Sequence, residues 1–206
     1  MDNFNIGSTL SFGGFNWRIL DIKNNMALII TENIIDQRSY HNAYKDITWA
    51  ECSLRKYLNG DFYNSFNEND RSRIIPAMIK NLDNQWHGSK GGEDTEDKIF
   101  LLSIEEVACQ YFGDSSSKLY NPNKKQRYWL ERKDENNSKR VARLTPDKGG
   151  IWWWWLRSPG RVNVRAAYIH GDGNIGLQGN NILKGNASDG WCTGGVRPAL
   201  WLKIGI

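Results

Sequence analysis

WWWWLRSPGRVNVRAAYIHGDGNIGLQGNNIL, residues 152–183, decides the fold. Short β-like runs alternate here with Gly and Asn turns: WWWWLRS, VNVRAAYIH, then GDGN, then IGLQGNNIL, with VRPALWLKI following at residues 196–204. This texture predicts three or more short strands in a meander. Four consecutive tryptophans, Trp152 to Trp155, cannot share one face of a strand, because alternate side chains go to opposite faces. Two layers of packing must therefore meet here, and core on both faces is expected rather than an aromatic sugar platform.

In Arg161-Val162-Asn163-Val164-Arg165 the period is two. The spacing places Val162 and Val164 on a packed face and Arg161, Asn163 and Arg165 on the opposite one. Continuing the alternation, Ile169 points inward and Tyr168 and His170 outward. Alternation alone is what any solvated sheet face shows. A row of Arg, Asn, Arg, Tyr and His is also a plausible recognition surface, because Arg and Tyr contribute strongly at interfaces. Arg157, before Ser158-Pro159-Gly160, and Arg197, in Gly195-Val196-Arg197-Pro198, each stand beside a turn in an apolar setting. Their guanidinium groups are expected to bond loop carbonyls or a carboxylate and to fix loop geometry. With Trp154 and Trp201 they form the structural set.

Upstream, SFGGFNWRILD (Ser11 to Asp21) and MALIIT (Met26 to Thr31) read as two strands of a hairpin with Asn24-Asn25 at the turn. Thr48 and Glu51 form a capping box opening TWAECSLRKYLN, a helix of about three turns. Asp61 to Phe66 and Asn69 to Ile75 read as further short helical pieces, the second ended by Pro76. Residues Asn81 to Asp97 read as a surface loop. Ser103 with Glu106 repeats the capping box at the start of SIEEVACQYF, which Gly113 can terminate. Residues 114 to 150 read as a long polar excursion. Helices and strands first, with a strand-rich end, give an α+β class with mixed helices and short antiparallel strands.

The chain has 206 residues, with 10 Trp and 20 Gly, which suits a turn-rich fold built on a few large side chains. Its 27 basic and 23 acidic residues are mixed along the chain. Nucleic-acid binding is not expected, since phosphate recognition needs clustered Lys and Arg. The densest basic stretch, from Lys124 to Arg143, is interrupted by Glu131, Asp134 and Glu135 and reads as a solvated loop. Cys52, Cys109 and Cys192 are too few and scattered for a disulfide framework. Neither a leader-like N-terminus nor a long apolar run occurs, so no membrane insertion is expected, and the location read from the sequence is cytoplasmic or on a phage particle.

A copper oxidase needs paired thiolates to hold its metal, and the three cysteines lie in separate blocks. His41, His87 and His170 form no HxxxH or HExxH spacing, and no GxSxG elbow is present. Asp172, Asn174 and Asp189 could supply oxygens to a calcium ion, but the EPN, QPD and WND motifs of sugar-binding lectins are missing. A DG pair in a hairpin is usually a turn. The reading is metal-free and without a cofactor.

WWLRSPG (Trp154 to Gly160), the Gly/Asn-rich stretch and the closing GVRPALWL (Gly195 to Leu202) resemble the C-terminal signature of a bacterial and phage domain family. FGGFNWRILDI, ALIITE, TWAECSLRKYLNGDFYNSF and DKIFLLSIEE match the family's order of blocks over nearly the whole chain. The resemblance implies a C-type-lectin-like fold of the formylglycine-generating-enzyme type, forming a single domain over residues 1–206. Residues 1–150 would be its scaffold portion and residues 151–206 its strand-rich, ligand-displaying portion. Proteins of this kind resemble the variable targets of diversity-generating retroelements, which rewrite adenine positions, typically in Asn codons, in a gene's last segment. WLRSPG, Ala166-Ala167, Asp172-Gly173 and GVRPALWL would then be fixed. The implied hypervariable, ligand-binding positions are Arg161, Asn163, Arg165, Tyr168, His170, Leu177, Asn181, Asp189 and Trp191. Trp191 departs from the pattern, because adenine mutagenesis of an AAC codon does not give Trp, and it reads as a fixed contact or packing residue. The expected function is non-enzymatic binding of a protein or glycan ligand on another cell or particle. The alternatives are a carbohydrate-binding lectin-like module and a phage structural or receptor-binding protein.

Overall fold

The computed structural model describes residues 4–112, 136–145, 149–183 and 194–205. The Gly113 helix stop, most of the basic stretch, Asp189, Trp191 and Cys192 lie outside the described residues. The class is α+β, dominated by two five-stranded sheets with a few short helices.

The first sheet starts from the expected hairpin. Strands β2 (Phe15–Lys23) and β3 (Met26–Thr31) pair with Lys23 opposite Met26. Asn24 and Asn25, at φ 50° and 58°, form the two-residue turn between them. Left-handed φ at both positions matches the twist of the flanking strands, and Asn tolerates it. A single strand over Ser11 to Asp21 is corrected: β1 (Thr9–Phe12) is separate and pairs with β2 with Phe12 opposite Phe15. Gly13 and Gly14, at φ 57° and 82°, make a second tight turn that the uninterrupted hydrophobic alternation concealed. Beyond β3 lie β14 (Ala199–Lys203) and β5 (Ile74–Ile75), giving the order β1-β2-β3-β14-β5.

The second sheet has the order β12-β11-β10-β13-β4. Its strands are β4 (Asp36–Gln37), β10 (Trp154–Pro159), β11 (Arg165–Ile169), β12 (Ile175–Asn181) and β13 (Gly195–Val196). The β10, β11 and β12 meander is the one expected, and only the β10–β13 pair is parallel. Two small ribbons accompany the sheets: β6 (Ala77–Ile79) with β7 (Thr95–Asp97), and β8 (Ala142–Arg143) with β9 (Ile151–Trp152). Each large sheet draws on both ends of the chain, since β14 lies beside β3 and β4 lies beside β13. Residues 1–150 and residues 151–206 are therefore interleaved in the sheets rather than stacked as two blocks.

The TWAECSLRKYLN helix is present but begins later and in pieces. A 3₁₀ turn, Trp49–Glu51, precedes helix Ser53–Tyr57, which runs through a π turn, Leu58–Phe62, into helix Tyr63–Ser65. Thr48 makes no side-chain cap bond, and the Cys52 sulfur accepts from the Arg55 amide instead. Asp61 to Phe66 is thus largely a continuation of this helical run. Helix Glu68–Arg73 follows, capped by Asn67, whose Oδ1 accepts from the Asp70 amide at 2.9 Å. The second capping box forms as read: Glu106 Oε2 accepts from the Ser103 amide at 2.7 Å, and Ser103 Oγ accepts from the Glu106 amide at 3.2 Å. Helix Asn137–Arg140 lies within the stretch read as irregular.

Every residue of β10 is buried, and so are Ala166 to Ile169 of β11. The second sheet is covered on both faces, as the four tryptophans required, with Trp154 and Trp155 fully buried. The inward-outward alternation read for residues 161–170 is corrected by the same fact. Residues 161–164 form a bend and turn rather than a strand, and Val162 is 44% exposed instead of packed.

Candidate functional site

Three guanidinium groups hold the frame behind the site. Arg157 is buried; its Nη1 and Nη2 grip both carboxylate oxygens of Glu106, and they also donate to the carbonyls of Leu101 at 2.8 Å and Lys80 at 3.1 Å. The planar fork explains why Arg, rather than Lys, serves here. Arg197 donates from Nε to the Thr31 carbonyl at 2.8 Å and lies over the Trp154 ring, 5.1 Å from its centroid. Burial pulls its guanidinium down to about 10. Arg157 makes the carboxylate and loop-carbonyl bonds expected of it, whereas the carbonyl that Arg197 bonds is that of Thr31 at the end of β3 rather than one in a loop. Arg140 was not singled out in the sequence, yet it is equally buried; its Nε donates to the Gly173 carbonyl at 2.9 Å and its Nη2 to Asn137 Oδ1 at 2.8 Å.

At one end of the second sheet, three loops and the end of β12 are tied together. The backbone amide of Arg161 donates to the Gln178 carbonyl, that of Ile47 to Asn163, that of Ile182 to Val164 and that of His41 to Ile182. Asn163 Nδ2 donates to the Lys90 carbonyl at 2.8 Å, and Ser89 Oγ donates to the Gly160 carbonyl. Asn84 is the buried hub. Its Nδ2 lies 2.9, 3.3 and 3.0 Å from the carbonyls of Pro159, Gly160 and Leu177, and its Oδ1 accepts from the amides of Trp86 and His87. Gly160 and Gly179 approach so closely that a Cβ on Gly179 would stand 2.8 Å from the Gly160 Cα, so neither position admits a side chain without displacement.

The candidate residues fall into separate groups. Arg161 is exposed, and Asn163, Arg165 and Asn181 are half-buried beside it, with Arg165 directly opposite Asn181 across the β11–β12 pair. Arg165 Nη1 donates to the Gly179 carbonyl at 3.0 Å, so part of its side chain serves the frame. His170 is exposed beyond the far end of β11, about 16 Å of extended chain from Arg165. Its Nδ1 lies 3.0 Å from Asp172 Oδ1. The outward placements expected for Tyr168 and Leu177 are corrected. Tyr168 is 6% exposed, packed edge-on against Trp153 and over Gly176, and Leu177 is fully buried. A second layer covers both residues, so neither side chain faces solvent. Asp189 and Trp191 lie outside the described residues.

Sequence reasoning missed two surface contributors at the Arg161 end. Tyr44 is 61% exposed on the loop that Ile47 ties to Asn163, and Val162 projects from the turn itself. Asp83 and Lys90 pair at 2.8 Å on the neighbouring loop; the Lys90 hydrogen bond holds the Asp83 carboxyl below its usual range. The signal for Asn84 is absent from local pattern, because its carbonyl partners lie far along the chain.

Burial pushes the Cys52 thiol up to about 12, opposite to what a reactive thiolate requires. Among the described residues no group of three His, Cys, Asp or Glu side chains is placed to share a metal ion. Asp172 Oδ1 accepts from the Asn174 amide, and Asn174 Oδ1 accepts from the Ile175 amide, so both groups shape the turn. No described helix is long and apolar enough to cross a membrane.

A family model described as a domain of unknown function (DUF6273) matches residues 24–204. No curated protein and no solved structure matches the chain.

Proposed function

The chain belongs to this family of domains of unknown function, and we propose that it is a non-enzymatic ligand-binding protein with a C-type-lectin-like fold. Its ligand-facing positions would be those diversified by a retroelement, and its ligand a protein or glycan on another cell or particle. One observation carries the reading. Loops 41–47, 84–91 and 160–165 are bonded to each other and to the end of β12, leaving Arg161, Val162 and Tyr44 exposed on a fixed backbone. A surface ordered before binding loses little conformational freedom on binding, so side chains can be exchanged without rebuilding their support. Arg and Tyr are also the residue types that contribute most at such contacts.

Within this proposal Arg161, Asn163, Arg165 and Asn181 form the diversified contact group, Tyr44 and Val162 extend it, and His170 belongs to a separate edge. Tyr168 and Leu177 support the sheet from within. The test is a binding screen against isolated bacterial surface proteins and glycans with wild type and an Arg161→Ala, Val162→Ala, Tyr44→Ala variant. A ligand that binds wild type and loses at least about tenfold in affinity for the variant, with an unchanged melting temperature, supports the reading. Equal binding by both proteins would sink it. A reverse transcriptase gene with a near-identical template repeat beside the coding sequence is the matching genetic observation for diversification.

A further inference from the structure

The outer strands of the first sheet, β1 and β5, have three strands between them, yet they approach one another. The guanidinium of Arg73, the residue before β5, lies over the Phe12 ring of β1 at 5.4 Å, and Phe66 stacks on Phe12 at 5.6 Å. The sheet is curled toward a barrel that does not close. A groove of about 450 Å³ opens in the seam, lined by Phe4 and residues 8–11 on one side and by Arg73 and Leu202 on the other.

Three features give this groove a chemistry. β1 is hydrogen-bonded to β2 alone, so the amides and carbonyls of its other edge face away from the sheet, as an edge strand's must. Phe4 and Leu10, both half-buried, give it an apolar lining. Arg73 has no carboxylate partner among the described residues, and its hydrogen bond to the Lys203 carbonyl is long, at 3.4 Å. A guanidinium without a carboxylate partner among the described residues, beside an open strand edge, matches a ligand that brings both backbone and negative charge. The seam is short, since β1 has only four residues. That length suits the end of a chain better than a segment running through.

We propose that the seam between β1 and Arg73 is a β-augmentation site for the C-terminal segment of another polypeptide, which pairs with β1 and places its terminal carboxylate on Arg73. Alternate side chains of the incoming strand would meet the Phe4 and Leu10 surface, and the others would face solvent. This site lies on the first sheet and does not depend on the display end of the second.

The probe is a fluorescein-labelled Gly-Thr-Val-Thr-Val peptide, prepared with a free C-terminal carboxylate and as the C-terminal amide. Binding to the full chain is followed by anisotropy and by amide chemical shifts. The free acid is expected to bind, to shift the Thr9 and Ser11 amides, and to exceed the amide form by about tenfold. Arg73→Gln should lower acid binding to the level of the amide, and Arg73→Lys should restore part of it. Leu10→Trp should fill the groove and remove binding of both forms, with thermal unfolding as the check that each variant folds. Arg161→Ala should leave peptide binding unchanged, which separates this result from any failure at the display surface. Equal binding of acid and amide, shifts confined to residues outside β1, or no binding at about millimolar peptide would each overturn the proposal.

Discussion

Strand Trp154–Pro159 and the turn at residues 161–164 are separated by one glycine and differ in almost every physical respect. In the strand every residue is buried, and Arg157 is held by a carboxylate and two carbonyls. In the turn Arg161 and Val162 are exposed, and the contacts that fix the turn are mostly made by backbone. The difference separates a segment whose side chains hold the fold from one whose side chains are left exposed; if the turn binds the proposed ligand, stability and recognition would not conflict there. Where side chains supply the frame, their identity matters to folding; where backbone supplies it, side chains are free to change.

The strongest test of this contrast is Trp154→Ala. The ring is fully buried, lies against Arg197 and donates from Nε1 to the Arg140 carbonyl at 3.0 Å. Urea unfolding is expected to show a loss of about 3–5 kcal/mol, as for other large aromatic deletions. A loss below about 1 kcal/mol would mean that the strand is not the frame.

Asn84→Ala probes the link between the two regions. It would strip partners from the carbonyls of Pro159, Gly160 and Leu177 and from two amides, at an expected cost of about 1–3 kcal/mol. Hydrogen exchange should also accelerate in loop 84–91 while the centre of β10 stays protected. Uniform acceleration across both would show that frame and display turn open as one unit.

A smaller effect is expected at His41. Burial, with Lys45 and Lys56 nearby, holds its ring below the ordinary histidine range. The Ser53 amide donates to Nδ1 at 3.2 Å, which requires that nitrogen to be unprotonated. The unfolded chain takes up its proton near the ordinary pKa of about 6.5, and the folded chain does so only at lower pH. The stability contribution is therefore complete above about pH 6.5 and is lost as pH falls below it. The urea midpoint should drop between about pH 7.5 and 5.5 in wild type, and His41→Asn should flatten the drop. A pH profile identical in the two proteins would remove His41 from the account.

The smallest change belongs to the turn. Arg161→Ala combined with Val162→Ala should alter unfolding stability by no more than about 0.5 kcal/mol. A cost above about 2 kcal/mol would erase the distinction between the strand and the turn.

Local chemistry made several parts of this molecule legible in its sequence. The Asn24-Asn25 turn, the Ser103–Glu106 capping box and the loop-fixing role of Arg157 all depend on residue type and short spacing. The burial of Tyr168 and Leu177 was not legible, because period-two alternation marks two faces without saying whether water or a second layer covers each. Asn84 was missed for a different reason: its carbonyl partners are brought to it by tertiary folding. The seam at Arg73 was equally hidden, since it depends on how far a sheet curls.

The position of β14 has a consequence for how the protein is made. The strand sits between β3 and β5 in the first sheet, but it is synthesised after the whole of residues 161–181. The early hairpin must wait through translation of the display segment for its neighbour. A shifted reading frame or premature stop within that segment would leave the sheet without an interior strand. Completion of the first sheet thus requires that the reading frame be kept through to Ala199, and under the proposed diversification this requirement would separate exchanged side chains from shifted frames.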